Sequence, residues 1–190
     1  CGSKMSMCGG KIFHISSQED AVTDGLDRFK SLLKRFNRLY RFLVIVISPV
    51  YPRATLLIRK FVQKNIRGKS VITLNLGSGT SNFGPEVHNV DIMNYKNVDL
   101  VSKLDQLPIK DNSVDIAMNV AVLEHLPDPI SAIGEMHRIL KPGGRLICYM
   151  PFIVGFHACP YDFQRYTYEG MKYQFREFEI NHIRAVGVTS

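Results

Sequence analysis

From residue 71 onward, apolar positions fall into short runs separated by polar turns: Val71–Leu76, Val87–Ile92, Val98–Val101, Val114–Asn119 and Arg145–Met150. Runs of this length, rich in branched aliphatic residues and bounded by turn residues, predict strands in a covered sheet. Between the fourth and fifth runs, Ile130, Ile133, Met136, Ile139 and Leu140 recur at helical spacing and predict a helix over Pro129–Leu140. Asp128 suits its N-cap and Pro129 its first position, while Lys141 and Gly143-Gly144 suit its end. Thr167 would cap a further helix through Phe175, and a sixth strand is expected from about Glu179 to Val186. Strands alternating with helices imply an α/β fold, a doubly wound and mostly parallel sheet with both faces covered.

Before residue 71 the pattern is different. Leu26, Phe29, Leu32, Leu33, Phe36 and Leu39 recur three and four apart and predict a helix within residues 18–40. Ser48-Pro49 and Tyr51-Pro52 predict breaks, followed by a second helix over Ala54–Gln63. The chain thus divides into a leader at 1–17, expected to be disordered, a basic helical appendage at 18–66, and an α/β core at 67–190.

Charge sharpens this division. The chain carries a net charge of +7. Ten basic residues and no acid lie between Arg28 and Lys64, leaving 14 basic and 17 acidic residues elsewhere. The core is therefore mildly acidic, and its partner is not expected to be nucleic acid. An anionic membrane surface is a candidate partner for residues 28–64. No apolar run approaches the roughly 18 residues needed to span a bilayer. Four cysteines in no metal-ligand spacing argue against zinc and disulfides, so no metal is expected and a cytoplasmic, at most membrane-peripheral, location is.

The motif words sit at the ends of the strand runs: Leu74-Asn75-Leu76-Gly77-Ser78-Gly79, Val90-Asp91, Leu104-Asp105, Val122-Leu123-Glu124-His125 and Leu140-Lys141-Pro142-Gly143-Gly144. In order and spacing they resemble the class I S-adenosylmethionine-dependent methyltransferases, of the type 11-like group, over roughly 80 residues. The resemblance implies a Rossmann-like core, S-adenosylmethionine as cofactor, and a final antiparallel strand for which no sequence remains before Ser190. A truncated core, or one whose final strand is replaced, is the expectation.

It also implies residue roles. Asn75, Gly77, Ser78 and Gly79 would wrap the methionine part of the cofactor. Asp91, with Ile92, would take the ribose hydroxyls. Leu104, Asp105 and Gln106 would hold the adenine. Asn119 and Val120 would present carbonyls to the methionine amino group. His125 is the first choice for a general base, because its unperturbed pKa lies near 6.5; His157 and Asp162 stand behind it. A histidine that only packs locally is the competing reading.

Two departures stand out. Asn75 replaces the family's acid, and only the eleven residues Thr80–Val90 separate Gly79 from Asp91, too few for the usual first helix. This shortened form, with Tyr161-Asp162-Phe163-Gln164-Arg165-Tyr166-Thr167 after the fifth strand, resembles methyltransferases of sugar and cell-envelope glycan biosynthesis. Tyr161, Arg165 and Tyr166 are the candidate contacts to a small-molecule or sugar acceptor, methylated at oxygen. Asp162 and Arg165 would equally well brace their loop. The rival is a degenerate, non-catalytic fold that binds a partner or a membrane.

Overall fold

The structure, a computed structural model, describes residues 6–8, 11–13, 50–154, 157 and 161–185. The helix expected within 18–40 lies outside them. The elements are strands β1 (Ser6–Cys8) and β2 (Lys11–Phe13), helix α1 (Val50–Asn65), strands β3 (Thr73–Leu76), β4 (Val87–Asp91), β5 (Leu100–Val101) and β6 (Val114–Val120), a 3-10 turn at Leu123–His125, helix α2 (Pro129–Ile139), strand β7 (Leu140–Tyr149) and helix α3 (Tyr168–Gln174). One sheet runs β1-β2-β5-β4-β3-β6-β7. Its pairings are parallel from β2 to β7, and β1 is antiparallel to β2. The chain enters the sheet core at β3, steps out through β4 and β5, then crosses back to β6 on the other side. That reversal opens a crevice at the carboxyl ends of β3 and β6, where ligands bind in open α/β sheets.

Side-chain alternation along the strands supplies two cores. Leu74, Leu76, Val90 and Ala117 face α2, burying Ala132, Ile133, Met136 and Ile139, with Phe175 closing the edge. Val87, Ile116 and Met118 face the other way and meet Ile58, Val62 and Ile66 beside Phe83. In α1 the buried positions Ala54, Ile58 and Val62 recur every fourth residue, while Arg53, Arg59, Lys60 and Lys64 are exposed. Each buried Ile or Val there contributes about 1.5–3 kcal/mol before its ordering entropy. The basic segment is thus the sheet's second layer from residue 54 on, as well as a charged surface.

Helices α2 and α3 start where the capping residues predict. The Asp128 side chain accepts from the N–H groups of Ile130 and Ser131, and Thr167 accepts from that of Gly170. Four expectations need correction. Residues 6–8 and 11–13, within the span expected to be a disordered leader, form a hairpin whose second strand extends the parallel sheet beside β5. Pro52 lies inside the first turn of α1 instead of preceding it. Its missing N–H costs nothing there, because first-turn amides have no intrahelical partner. Lys141–Gly144 do not end α2. They loop out of β7 between the pairs Val114↔Leu140 and Ile116↔Arg145, and Lys141 reaches Asp115 at 2.7 Å. The expected sixth strand does not form over residues 179–185, where nearly every residue is exposed; among the described residues no strand lies beyond β7 to pair with it.

Candidate active site

The turn after β3 is the anchor of the site. The N–H groups of Gly77 and Ser78 both donate to the Val90 carbonyl, at 2.8 and 3.0 Å. Gly77 has φ of +74°, and a Cβ there would stand 2.5 Å from both γ-carbons of Val122. Only glycine fits. Gly79, at φ +50°, has open space where its Cβ would point. Asp91, at the end of β4, is buried and holds the turn in place. One oxygen accepts from the Gly79 N–H at 2.6 Å and the other from Met93 at 2.8 Å. Burial pushes its carboxyl pKa up, partly offset by these bonds. Ile92 follows, half-buried.

A run of amides braces the glycine turn from behind. The fully buried Asn75 donates to Asn89 Oδ1 at 3.0 Å, and Asn89 donates to the Asn97 carbonyl at 3.0 Å. Asn97 then donates to the carbonyls of Gly79 and Ser81, at 3.1 and 2.9 Å. A charged residue at position 75 would need a cation or several N–H donors in this buried place; an amide closes the chain without either.

After β5, on the β4 side of the sheet, Leu104 is buried in the core while Asp105 and Gln106 are exposed. Asn119 is fully buried, and its side chain donates to the Leu76 carbonyl at 3.0 Å, tying β6 to β3. Val120 is half-buried, and Ala121 takes φ of +56°. This left-handed step costs about 1 kcal/mol or more in a residue with a Cβ. It aims the chain so that Val122 meets Gly77.

Directly after Val122 lies a buried cluster that the strand-end motifs only half disclose. Glu124 is fully buried, and neither carboxylate oxygen meets a partner beyond an approach to its own N–H. Burial raises its pKa to about 7. His125 Nε2 and His157 Nε2 each stand 3.9 Å from Glu124 Oε1, and the two rings meet edge to face at 5.1 Å. His125 Nδ1 lies 2.6 Å from the Tyr161 carbonyl, which fixes the proton on Nδ1 and leaves Nε2 unprotonated in the neutral ring. Burial lowers the His125 pKa.

The 161–167 segment straps this cluster down. The Phe163 N–H donates to the Glu124 carbonyl at 2.8 Å, and Gln164 donates to the Leu123 and Leu126 carbonyls. Tyr166 donates to Gln164 Oε1 at 3.0 Å. Arg165 grips both oxygens of Asp162 and approaches His157 Nδ1 at 3.3 Å. Asp162 also accepts from the His157 N–H at 2.9 Å. The guanidinium holds the Asp162 carboxyl far below the usual range, which withholds it from proton uptake near neutrality. Tyr161 and Phe163 are about half exposed, side by side.

The fold therefore brings Gly77, Ser78, Gly79, Asp91, Asn119 and Val120 to one end of the sheet, with His125 following directly from it and His157, Asp162 and Arg165 gathered around His125; Tyr166 bonds Gln164 in the same segment. Asp105 and Gln106 are at the surface after β5. Sequence reasoning missed Asn89 and Asn97, which carry no motif, and gave Glu124 no role although it adjoins His125. A cleft of about 310 Å³ lined by Lys69, Asp115, Lys141 and Arg145 lies at the amino ends of β3 and β6, away from all of these residues.

A parallel sheet with this switch point, a glycine turn after its central strand and an acid ending the next strand defines a Rossmann-like, ligand-binding α/β protein. Residues 68–148 match the family described as a methyltransferase domain, and S-adenosylmethionine is the cofactor that this match implies. The residues fit that cofactor. The space at Gly79 is open, and a carboxylate has about four acceptor positions, of which the backbone N–H groups of Gly79, Met93 and Ile92 engage up to three at Asp91, leaving room for a ribose hydroxyl. The chain is 41% identical over 64 residues to a demethylmenaquinone methyltransferase of Staphylococcus epidermidis, covering 33% of this chain and 27% of that protein. It is 47% identical over 45 residues to an uncharacterized 37.1 kDa transposon protein of Streptomyces fradiae, covering 24% and 13%. The matches span between 13% and 27% of the length of these curated relatives. The fold is that of a SAM-dependent methyltransferase of Thermotoga maritima (TM-score 0.55, 21% identity, 78% and 77% covered) and of another from Aquifex aeolicus (0.52, 17%, 78% and 86%).

Proposed function

We propose that the chain transfers a methyl group from S-adenosylmethionine to an oxygen of a small polyol or glycan-type acceptor. The observation that carries this is the buried Glu124, His125 and His157 cluster, set directly after the residue that touches the glycine turn. When bound, the cofactor supplies a sulfonium methyl that is already a good electrophile. The protein's part is to hold the acceptor in line and remove its proton, and enforced geometry supplies up to about 7–11 kcal/mol. Gly77–Gly79 and Asp91 hold the cofactor, with Leu104, Asp105 and Gln106 on its adenine side. His125 takes the acceptor proton at Nε2, since its buried ring is neutral at pH 7. Asp162 positions His157 through Arg165, and Tyr161 and Tyr166 flank the acceptor's entry. The glycan class rests on the Asp162-x-x-Arg165-Tyr166-Thr167 resemblance. The exposed bases of α1 would dock the domain on an anionic membrane surface from the cytoplasmic side; among the described residues no helix is long and apolar enough to cross one.

An acceptor screen starting with sugars, read by mass spectrometry of the methylated product, tests this reading. His125→Gln should lower kcat by about 10²–10⁴-fold while cofactor affinity stays within twofold. Unchanged turnover removes His125 from the role.

A further inference from the structure

Glu124 poses a problem that proton transfer alone does not solve. A fully buried carboxylate with two unpartnered oxygens costs several kcal/mol to keep charged. Its nearest guanidinium, Arg165, is committed to Asp162. What faces Glu124 instead is a pair of imidazole nitrogens, and one ligand atom from each of Glu124, His125 and His157 lies within 4.8 Å of the others. The His125 imidazole is held from behind, its Nδ1 meeting the Tyr161 carbonyl at 2.6 Å. A carbonyl on the far nitrogen is a usual partner of a metal-bound histidine, because it fixes the tautomer and strengthens the donor. His157 Nδ1 faces the Arg165–Asp162 pair, with Arg165 Nη2 at 3.3 Å and Asp162 Oδ2 at 3.7 Å, and ligation through Nε2 would turn its Nδ1 proton toward Asp162.

We propose that Glu124, His125 and His157 bind one divalent first-row transition cation through a carboxylate oxygen and the two Nε2 atoms. Atoms sharing such a cation at about 2.0–2.2 Å stand roughly 3.3 Å apart. The 3.9 Å separations here close to that value by side-chain adjustment of well under 1 Å. Three protein ligands leave open positions, as in sites that act on a substrate. Two nitrogens and one oxygen suit zinc, iron, cobalt or manganese better than calcium or magnesium, which prefer oxygen. The cation neutralises Glu124 and offers a Lewis acid beside the crevice. An acceptor hydroxyl bound to it would lose its proton more readily, so the cation would take over the activation of that oxygen from His125, whose Nε2 it occupies. The site itself does not depend on methyl transfer; only this last role rests on the proposed function.

The test is a titration of the chelator-treated full chain with Zn²⁺, and with Co²⁺ followed by visible absorption. One equivalent should bind, and Co²⁺ should develop the d–d bands of a nitrogen- and oxygen-ligated site. Glu124→Gln and His157→Gln should each weaken binding at least tenfold, with the folded state checked by circular dichroism. His157, one-third exposed on its loop, gives the variant least able to disturb the core. No stoichiometric binding by the wild type overturns the proposal, and so does equal binding by the folded His157→Gln chain. Because the readout is metal alone, it succeeds or fails independently of any methyl-transfer assay.

Discussion

Among the described glycines, Gly77 carries the tightest geometric demand. It combines a left-handed backbone with a 2.5 Å approach to Val122, so a single methyl meets both penalties. Left-handed strain of about 1–2 kcal/mol and overpacking of about 1–3 kcal/mol predict that Gly77→Ala destabilises the chain by about 2–5 kcal/mol. Adding Val122→Ala to that variant should recover the overpacking part. Chemical denaturation of the single and double variants measures both; additive losses would contradict the contact. Much of the site was legible at this scale. Gly77, Asp91 and His125 announce themselves by place, at strand ends. Asn97 and Asn89 do not, since their work is to donate across three turns that only the folded chain assembles. Asn75 reads from sequence as a lost charge; in the structure it is the first member of an amide chain that makes the charge unnecessary.

At the scale of elements, caps and apolar periodicity were reliable because they act within one turn of the chain. Asp128 and Thr167 start their helices where expected. The misread elements depended on distant partners. Lys141–Gly144 look like a helix stop, yet Ile116 pairs with Arg145 and makes them a bulge. Residues 179–185 read as a strand, but a strand needs a neighbour. Helix α2 is secured by a contact no motif predicts. Arg138 binds Glu135, Asp111 and the carbonyls of Leu107 and Ile109, pinning the segment after Asp105. Arg138→Met strands those carbonyls and should cost about 1–3 kcal/mol. The Asp111 partner is exposed and adds little. Arg138 lowers the Glu135 pKa below its ordinary 4.5. A depressed carboxyl contributes stability that is present above the unfolded value and lost as pH falls through the folded one. The wild-type advantage over Arg138→Met should therefore be full above about pH 5 and shrink below about pH 4. An advantage that is constant across this range in thermal melts would contradict the pairing.

At the scale of the whole molecule, alternating short strands and helices sufficed for the doubly wound sheet, because a parallel sheet must be covered on both faces. The addition of β2 beside β5 was not legible. Lys11–Phe13 is three residues long, and its pairing with Leu100–Val101 spans nearly ninety positions. The amide chain around Gly79 lies at the carboxyl ends of the strands, where the proposed cofactor site is placed. The most direct measurement is calorimetric titration of the folded chain with S-adenosylmethionine and S-adenosylhomocysteine, alongside Asp91→Ala. One saturable site for both ligands is expected, weakened at least tenfold by the substitution. A folded wild-type chain that binds neither, or an Asp91→Ala chain that binds both equally well, would contradict the assignment of this crevice as the cofactor site.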